Sequence, residues 1–238
     1  MTDFIAYNGG STNYQNAAYI NTGNMQLYSI ITTTASEIRN QLAPCHFNQP
    51  AATEAPAIFT FCADIRRFSR WCELRKTTPQ YDNFVWFLSA MTDATLASQN
   101  LSLEAAAHDL GICYLGTTLY NAPEISDILQ LPSGVIPIMA VACGYPSDPN
   151  IPLTDRLPLE AVTHQDVYHD PTDAEIENFW TQRENSEETQ ELKQQNALPT
   201  LAHIFTERRY RGDDNRHFSK KYFDELTRKG FFNHEFNQ

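Results

Sequence analysis

Apolar positions along the chain fall into short blocks separated by turn residues, and the spacing within each block sets the element expected there. Residues 26–33 (QLYSIITT) are rich in β-branched side chains and predict a buried strand, with a short helix over 35–42. A second apolar run at 57–63 (AIFTFCA) predicts another strand, whereas 66–76 mix charge with aromatics and read as a surface segment. From 81 to 110 there is neither Gly nor Pro, and Phe84, Phe87, Leu88, Met91, Leu96, Leu103 and Ala107 recur at helical spacing until Gly111. This is the longest and most apolar helix expected.

Residues 112–117 (ICYLGT) fit a third strand. Residues 123–131 fit a short helix with Pro123 in its first turn, and 135–143 a fourth strand closed by Gly144-Tyr145-Pro146. Strands and helices thus alternate in layers. Pro146, Pro149, Pro152 and Pro158 mark an extended loop, and 161–168 are read as a fifth strand or an extended edge. Residues 173–195 are acidic and Gln-rich without Gly or Pro, which favours a solvated helix over a linker. Tyr222, Phe223 and Leu226 place a terminal helix over 218–229, ended by Gly230. No internal repeat and no boundary between independent domains is visible.

Composition narrows the function. With 42% apolar and 12% aromatic residues in 238, a substantial core is available. A formal net charge of -12 and a pI near 4.9 oppose binding to a phosphate backbone, and the basic clusters are confined to 208–211 and to Lys220 and Lys221. No apolar run reaches the roughly 20 residues of a membrane span, and MTDFIAYNGG has neither a basic nor an apolar signal region, so a cytoplasmic location is expected. The five cysteines form no C-x-x-C pair and lie in segments that read as core, so reduced, buried thiols are expected. Cys45 beside His46 has no second cluster at a ligand spacing, so no metal is expected. A hydrolase built on Cys113 or Cys143 is disfavoured because both lie in apolar strand-like runs. No phosphate-loop, dinucleotide, serine-elbow or zinc-helix motif occurs and no acid/base pair stands out, so a cofactor that carries the reaction is easier to defend than side-chain catalysis.

An ordered series of segments carries a resemblance. It runs GNMQ at 23–26, CHFNQP at 45–50, TFCAD at 60–64, GICYLGTTLYN at 111–121, PEI at 123–125, LQLP at 129–132, VIP at 135–137, CGYP at 143–146 and DRLP at 155–158, and it closes with Phe218-Ser219 and Gly230-Phe231. The series resembles the nitroreductase family in its oxygen-insensitive NADPH nitroreductase and flavin-reductase branch, over about 21–231.

That resemblance implies an α+β domain over 21–238. Its central sheet would be mostly antiparallel and flanked by helices, with a helical C-terminal extension. It further implies a homodimer through helix 81–110 with one FMN per subunit at the interface. Gly116 would let the backbone N–H groups of Tyr114, Leu115, Gly116 and Thr117 approach the isoalloxazine edge where a side chain would intrude. Gln49 would recognise the pyrimidine edge, with its loop through Thr53 against the cofactor. Asn21 and Thr22 stand where the family has small hydroxyl residues from the partner subunit, Asn21 replacing the usual serine. Arg156 is the expected phosphate ligand.

Two family features are missing from that phosphate site. Thr154 stands where the loop commonly has Lys, and residues 1–20 hold no Arg or Lys where an Arg-Ser-x-Arg arm is usual. Residues 1–20 are therefore read as an atypical segment replacing that arm. A start inside the original reading frame is the preferred explanation, over a diverged protein with a weak or empty pocket. The implied reaction passes electrons from NADPH or NADH to nitroaromatic, quinone or flavin acceptors by a ping-pong mechanism, with no catalytic side chain. The alternative is a non-catalytic binding or scaffold protein that keeps the fold.

Overall fold

A computed structural model of the chain describes residues 22–148 and 155–234, and these divide into two compact units, Met1–Ser147 with Phe218–Gln238, and Asp148–His217. The apolar pattern does not mark this division. The first unit is built on four strands, β1 (Tyr28–Thr33), β2 (Ala57–Asp64), β3 (Gly111–Leu115) and β4 (Val135–Gly144), paired antiparallel in the order β1-β2-β4-β3. Ile30 lies opposite Phe61, Phe59 opposite Val141 and Leu115 opposite Ala140, with a register shift at Phe61/Cys62. β2 and β4 occupy the centre, which is why their runs read as continuously apolar.

Period-two alternation sends Ala57, Phe59, Phe61 and Ala63 to one face of the sheet. There they meet Phe87, Ala90, Ala94, Ala97, Leu101 and Ala105, the inward stripe of the long helix Phe84–Ala107. Alanine at most of these positions allows close approach to the sheet. Asn83 caps this helix by accepting from the Trp86 N–H at 3.2 Å. Leu226 and Phe231, near the chain end, complete this core.

The other face is covered by α1 (Ser36–Leu42), α2 (Pro50–Glu54) and α5 (Ala122–Ile128), with α3 (Arg66–Leu74) and the long helix, α4 (Phe84–Ala107), between them in chain order. Ala52 packs with Ile58, Leu115, Ala140 and Ala142, and Leu42 with Cys45 and Ile125. Arg67, near the start of α3, donates to the Gln26 carbonyl, to the Tyr28 carbonyl at 3.1 Å and to Ser29 Oγ at 3.2 Å, and it pairs with Asp64 at 3.4 Å. The Leu27 carbonyl accepts from the Asp64 N–H at 2.9 Å.

In the second unit, α6 (Asp173–Glu184) opens on a capping box between Thr172 and Glu175, and α7 (Glu187–Asn196) opens on Ser186. The Glu184 carboxylate gathers Lys193 Nζ at 3.2 Å and the N–H of Leu201, the first residue of α8 (Leu201–Ile204). α9 spans Gly212–Arg228.

Residues 66–76, expected at the surface, are mostly exposed and hold the helix α3 (Arg66–Leu74), which buries Cys72. Other sequence expectations are corrected. Residues 173–195 form two helices because Ser186 offers a second N-cap inside the run. Residues 161–168 form no strand: a 3-10 turn at Leu159–Ala161 is followed by bends, with Val162, Val167 and Tyr168 all exposed. Cys113, expected to be buried, is exposed because β3 is an edge strand. Among the described residues no helix is long and apolar enough to cross a membrane.

Candidate functional site

β3 ends at Leu115, fully buried against Ala52, Ile58 and Ala140, which fixes where the following turn begins. That turn, Gly116–Thr118, is held from within by the Thr118 hydroxyl donating to the Leu115 carbonyl at 2.6 Å. Gly116 is not demanded by its backbone, since the left-handed glycines among the described residues are Gly23, Gly134 and Gly230. Neither is it demanded by packing, because a Cβ added there meets no atom within 4 Å. The absence of a side chain leaves open surface beside the turn.

The loop carrying Gln49 is brought to the same place. A 3-10 turn at Ala43–His46 is followed by Phe47 and Asn48, both left-handed at φ 55 and 51, which reverses the chain into α2. His46 is buried, and its Nδ1 lies 2.9 Å from Thr117 Oγ1, bridging the two loops directly. Burial pushes the His46 pKa down to about 4, so the ring is neutral near pH 7. Asn121 adds a second brace: its Nδ2 donates to the Cys45 carbonyl at 2.7 Å, and its Oδ1 accepts from Lys221 at 2.9 Å. The Gln49 carbonyl accepts from Ala52 and Thr53 N–H groups, whereas its half-buried side-chain amide makes no hydrogen bond to a described residue. Gln49, Leu115, Gly116 and Thr117 therefore share one end of the sheet. The Tyr114 ring turns to the α4 face, where its hydroxyl lies 2.8 Å from Ser102 Oγ and 3.4 Å from Ser98 Oγ.

Thr22 falls elsewhere in the first unit, and Arg156 belongs to the second. Thr22 is tied to the buried Asp93 of α4 through its N–H at 2.9 Å and its hydroxyl at 3.3 Å, and Asp93 also accepts from the Leu27 N–H at 3.1 Å. This turn leads into β1, three strand spacings, or roughly 14 Å, across the sheet from β3. Arg156 is exposed in the second unit, donating to the Asp155 carbonyl at 3.3 Å. Asn21, Thr154 and residues 1–20 lie outside the described residues. Two clefts of about 450 and 410 Å3 flank α3 and share Arg66 and Arg70, and neither is lined by Gln49 or residues 114–117.

A sequence model of the nitroreductase family matches residues 21–145, which covers the whole sheet and both loops of this site. The chain belongs to the nitroreductase family. Among its relatives, an FMN reductase (NADPH) of Bacillus subtilis (strain 168) is 33% identical over 151 residues, covering 63% of this chain and 60% of that protein. An NADPH-dependent oxidoreductase of Staphylococcus saprophyticus is 30% identical over 186 residues, covering 73% and 74%. A crystal structure of a candidate oxidoreductase from Bacteroides fragilis NCTC 9343 superposes with a TM-score of 0.90 at 39% identity, over 97% of this chain and 90% of that one. The aligned region spans about 60% of the length of the first curated relatives.

FMN, the group this nitroreductase family implies, fits what the loops offer. A flat ring needs a surface without an intruding side chain, as at Gly116, and an uncommitted donor–acceptor amide, as at Gln49. The sequence reading placed His46 within the 45–50 segment of the resemblance but gave it no role of its own beyond half of a disfavoured metal pair. It also passed over Asp93, Ser98 and Ser102, polar positions on the buried face of α4. Their interruption of an otherwise apolar stripe was the available signal.

Proposed function

We propose that this chain is an FMN-dependent oxidoreductase that takes electrons from NAD(P)H and passes them to nitroaromatic, quinone or flavin acceptors in a ping-pong cycle. The observation that carries this reading is Gly116, a glycine that neither backbone nor packing requires, in the turn that the His46–Thr117 contact ties to the Gln49 loop. Bound FMN would supply the hydride chemistry, so no side chain of this chain is assigned a role as acid, base or nucleophile. The residues of this chain bind and orient: the backbone of Tyr114, Leu115, Gly116 and Thr117 lines the ring edge, and the Gln49 amide both donates to and accepts from the pyrimidine edge. Arg156 is assigned to the phosphate. The names of the Bacillus and Staphylococcus relatives, an FMN reductase and an NADPH-dependent oxidoreductase, support both cofactor and reductant.

The site is completed by a second copy. Thr22, with Asn21, is assigned to the pocket of the partner, because within one chain the Thr22 turn and Gly116 stand at opposite edges of the sheet.

Gly116→Ala tests the proposal. With open space at the Cβ and no left-handed φ, folding stability should hold or rise by about 0.5 kcal/mol. FMN affinity by fluorescence titration should fall at least tenfold. Wild-type protein that is colourless and takes up no FMN would sink the enzyme reading and leave the scaffold one.

A further inference from the structure

The His46–Thr117 contact has no role in the function proposed so far. His46 belongs to the loop that carries Gln49, and Thr117 to the turn that carries Gly116. Their 2.9 Å hydrogen bond is a direct side-chain link between the two segments. His46 is 1% exposed and Thr117 is half-buried, so the bond is partly shielded from competing water. Histidine is an expensive choice for such a position. An apolar residue of the same size would fill the volume without a polar nitrogen to satisfy, so the pair is worth keeping only for what its geometry fixes.

We infer that His46 is a positioning residue for the flavin: its bond to Thr117 sets the spacing between the Gln49 amide and the Gly116 turn, the two groups that would hold opposite parts of one rigid ring. The inference rests on the FMN reading above. A planar tricyclic ring cannot adapt to a change in that spacing, so a shift of a few tenths of an ångström loses either the Gln49 contact or the approach at Gly116. Neutral imidazole suits the task. It carries one donor and one acceptor, and burial keeps it in that state across the physiological range.

The test uses His46→Leu, Thr117→Val and the double variant, with His46→Asn as the conservative replacement, since an amide can restore a polar partner for the threonine hydroxyl. FMN dissociation constants and the absorbance spectrum of the bound flavin are read alongside melting temperature. Each single variant should bind FMN about tenfold more weakly with a shifted flavin band. The double variant should be no weaker than the singles, as expected of one shared interaction, and His46→Asn should recover most of the affinity. Variants that melt earlier yet bind FMN with wild-type affinity and spectrum would overturn the inference while leaving the FMN reading intact. Strictly additive losses would overturn it as well. Wild type that fails to bind FMN would remove both.

Discussion

At the scale of single residues, the buried His46 ties stability to pH. Its pKa is lowered to about 4 in the folded chain against about 6.5 when unfolded, so the unfolded state takes up a proton first as pH falls. The contribution is intact above about pH 6.5 and is lost at about 1.4 kcal/mol per pH unit below it, amounting to about 2 kcal/mol by pH 5. Urea unfolding of wild type and His46→Asn at pH 7 and pH 5 should differ by that amount, with wild type losing more. An equal loss in both would show that other groups set the acid limit. That His46 is buried was not legible from its neighbours, Cys45 and Phe47, because burial here comes from the turn after β3, more than sixty positions away. Gln49 and Gly116 could be singled out from the sequence, since their local motifs are recognisable without knowledge of the packing.

At the scale of elements, central strands and the long helix follow from the sequence because both faces of β2 and one face of α4 are committed to apolar neighbours. Edges are harder to read. β3 has the same apolar character as β4, yet its exposure pattern differs because nothing pairs its outer side among the described residues, and Cys113 is exposed for that reason. Cys45, Cys62, Cys72 and Cys143 are buried, and burial pushes the Cys62 thiol up to about 12. A colorimetric disulfide reagent should therefore modify one thiol rapidly in the native protein, and Cys113→Ser should abolish that fast phase. Persistence of the fast phase in that variant would place the accessible thiol elsewhere. The reading of 161–168 as a strand or extended edge failed because its apolar residues sit as pairs at either end, Ala161 with Val162 and Val167 with Tyr168, around a polar centre that commits neither face to a core.

At the scale of the whole molecule, α4 is apolar on both sides. Its inner stripe packs on the sheet, while Val85, Leu88, Leu96 and Leu103 line up one above another on the outer side, Val85 67% and Leu103 62% exposed. We assign this outer stripe to a second copy of the chain. Val85→Glu with Leu103→Glu should convert a dimer to a monomer in analytical ultracentrifugation and, since Thr22 is then withdrawn from the partner's site, weaken FMN binding. A monomeric wild type would contradict the assignment. The opposite boundary of the sheet is handled differently. The Leu27 carbonyl points to β2, so alternation turns the Tyr28 carbonyl outward, and the Arg67 guanidinium occupies it together with the carbonyl of Gln26, a left-handed residue just before the strand. A strand from another molecule arriving at the start of β1 finds its acceptors taken and a positive charge in the way. Among the described residues no strand pairs with the outer side of β1, so a guanidinium at the start of that edge would oppose edge-to-edge aggregation, a protection that would count most at high cellular concentration.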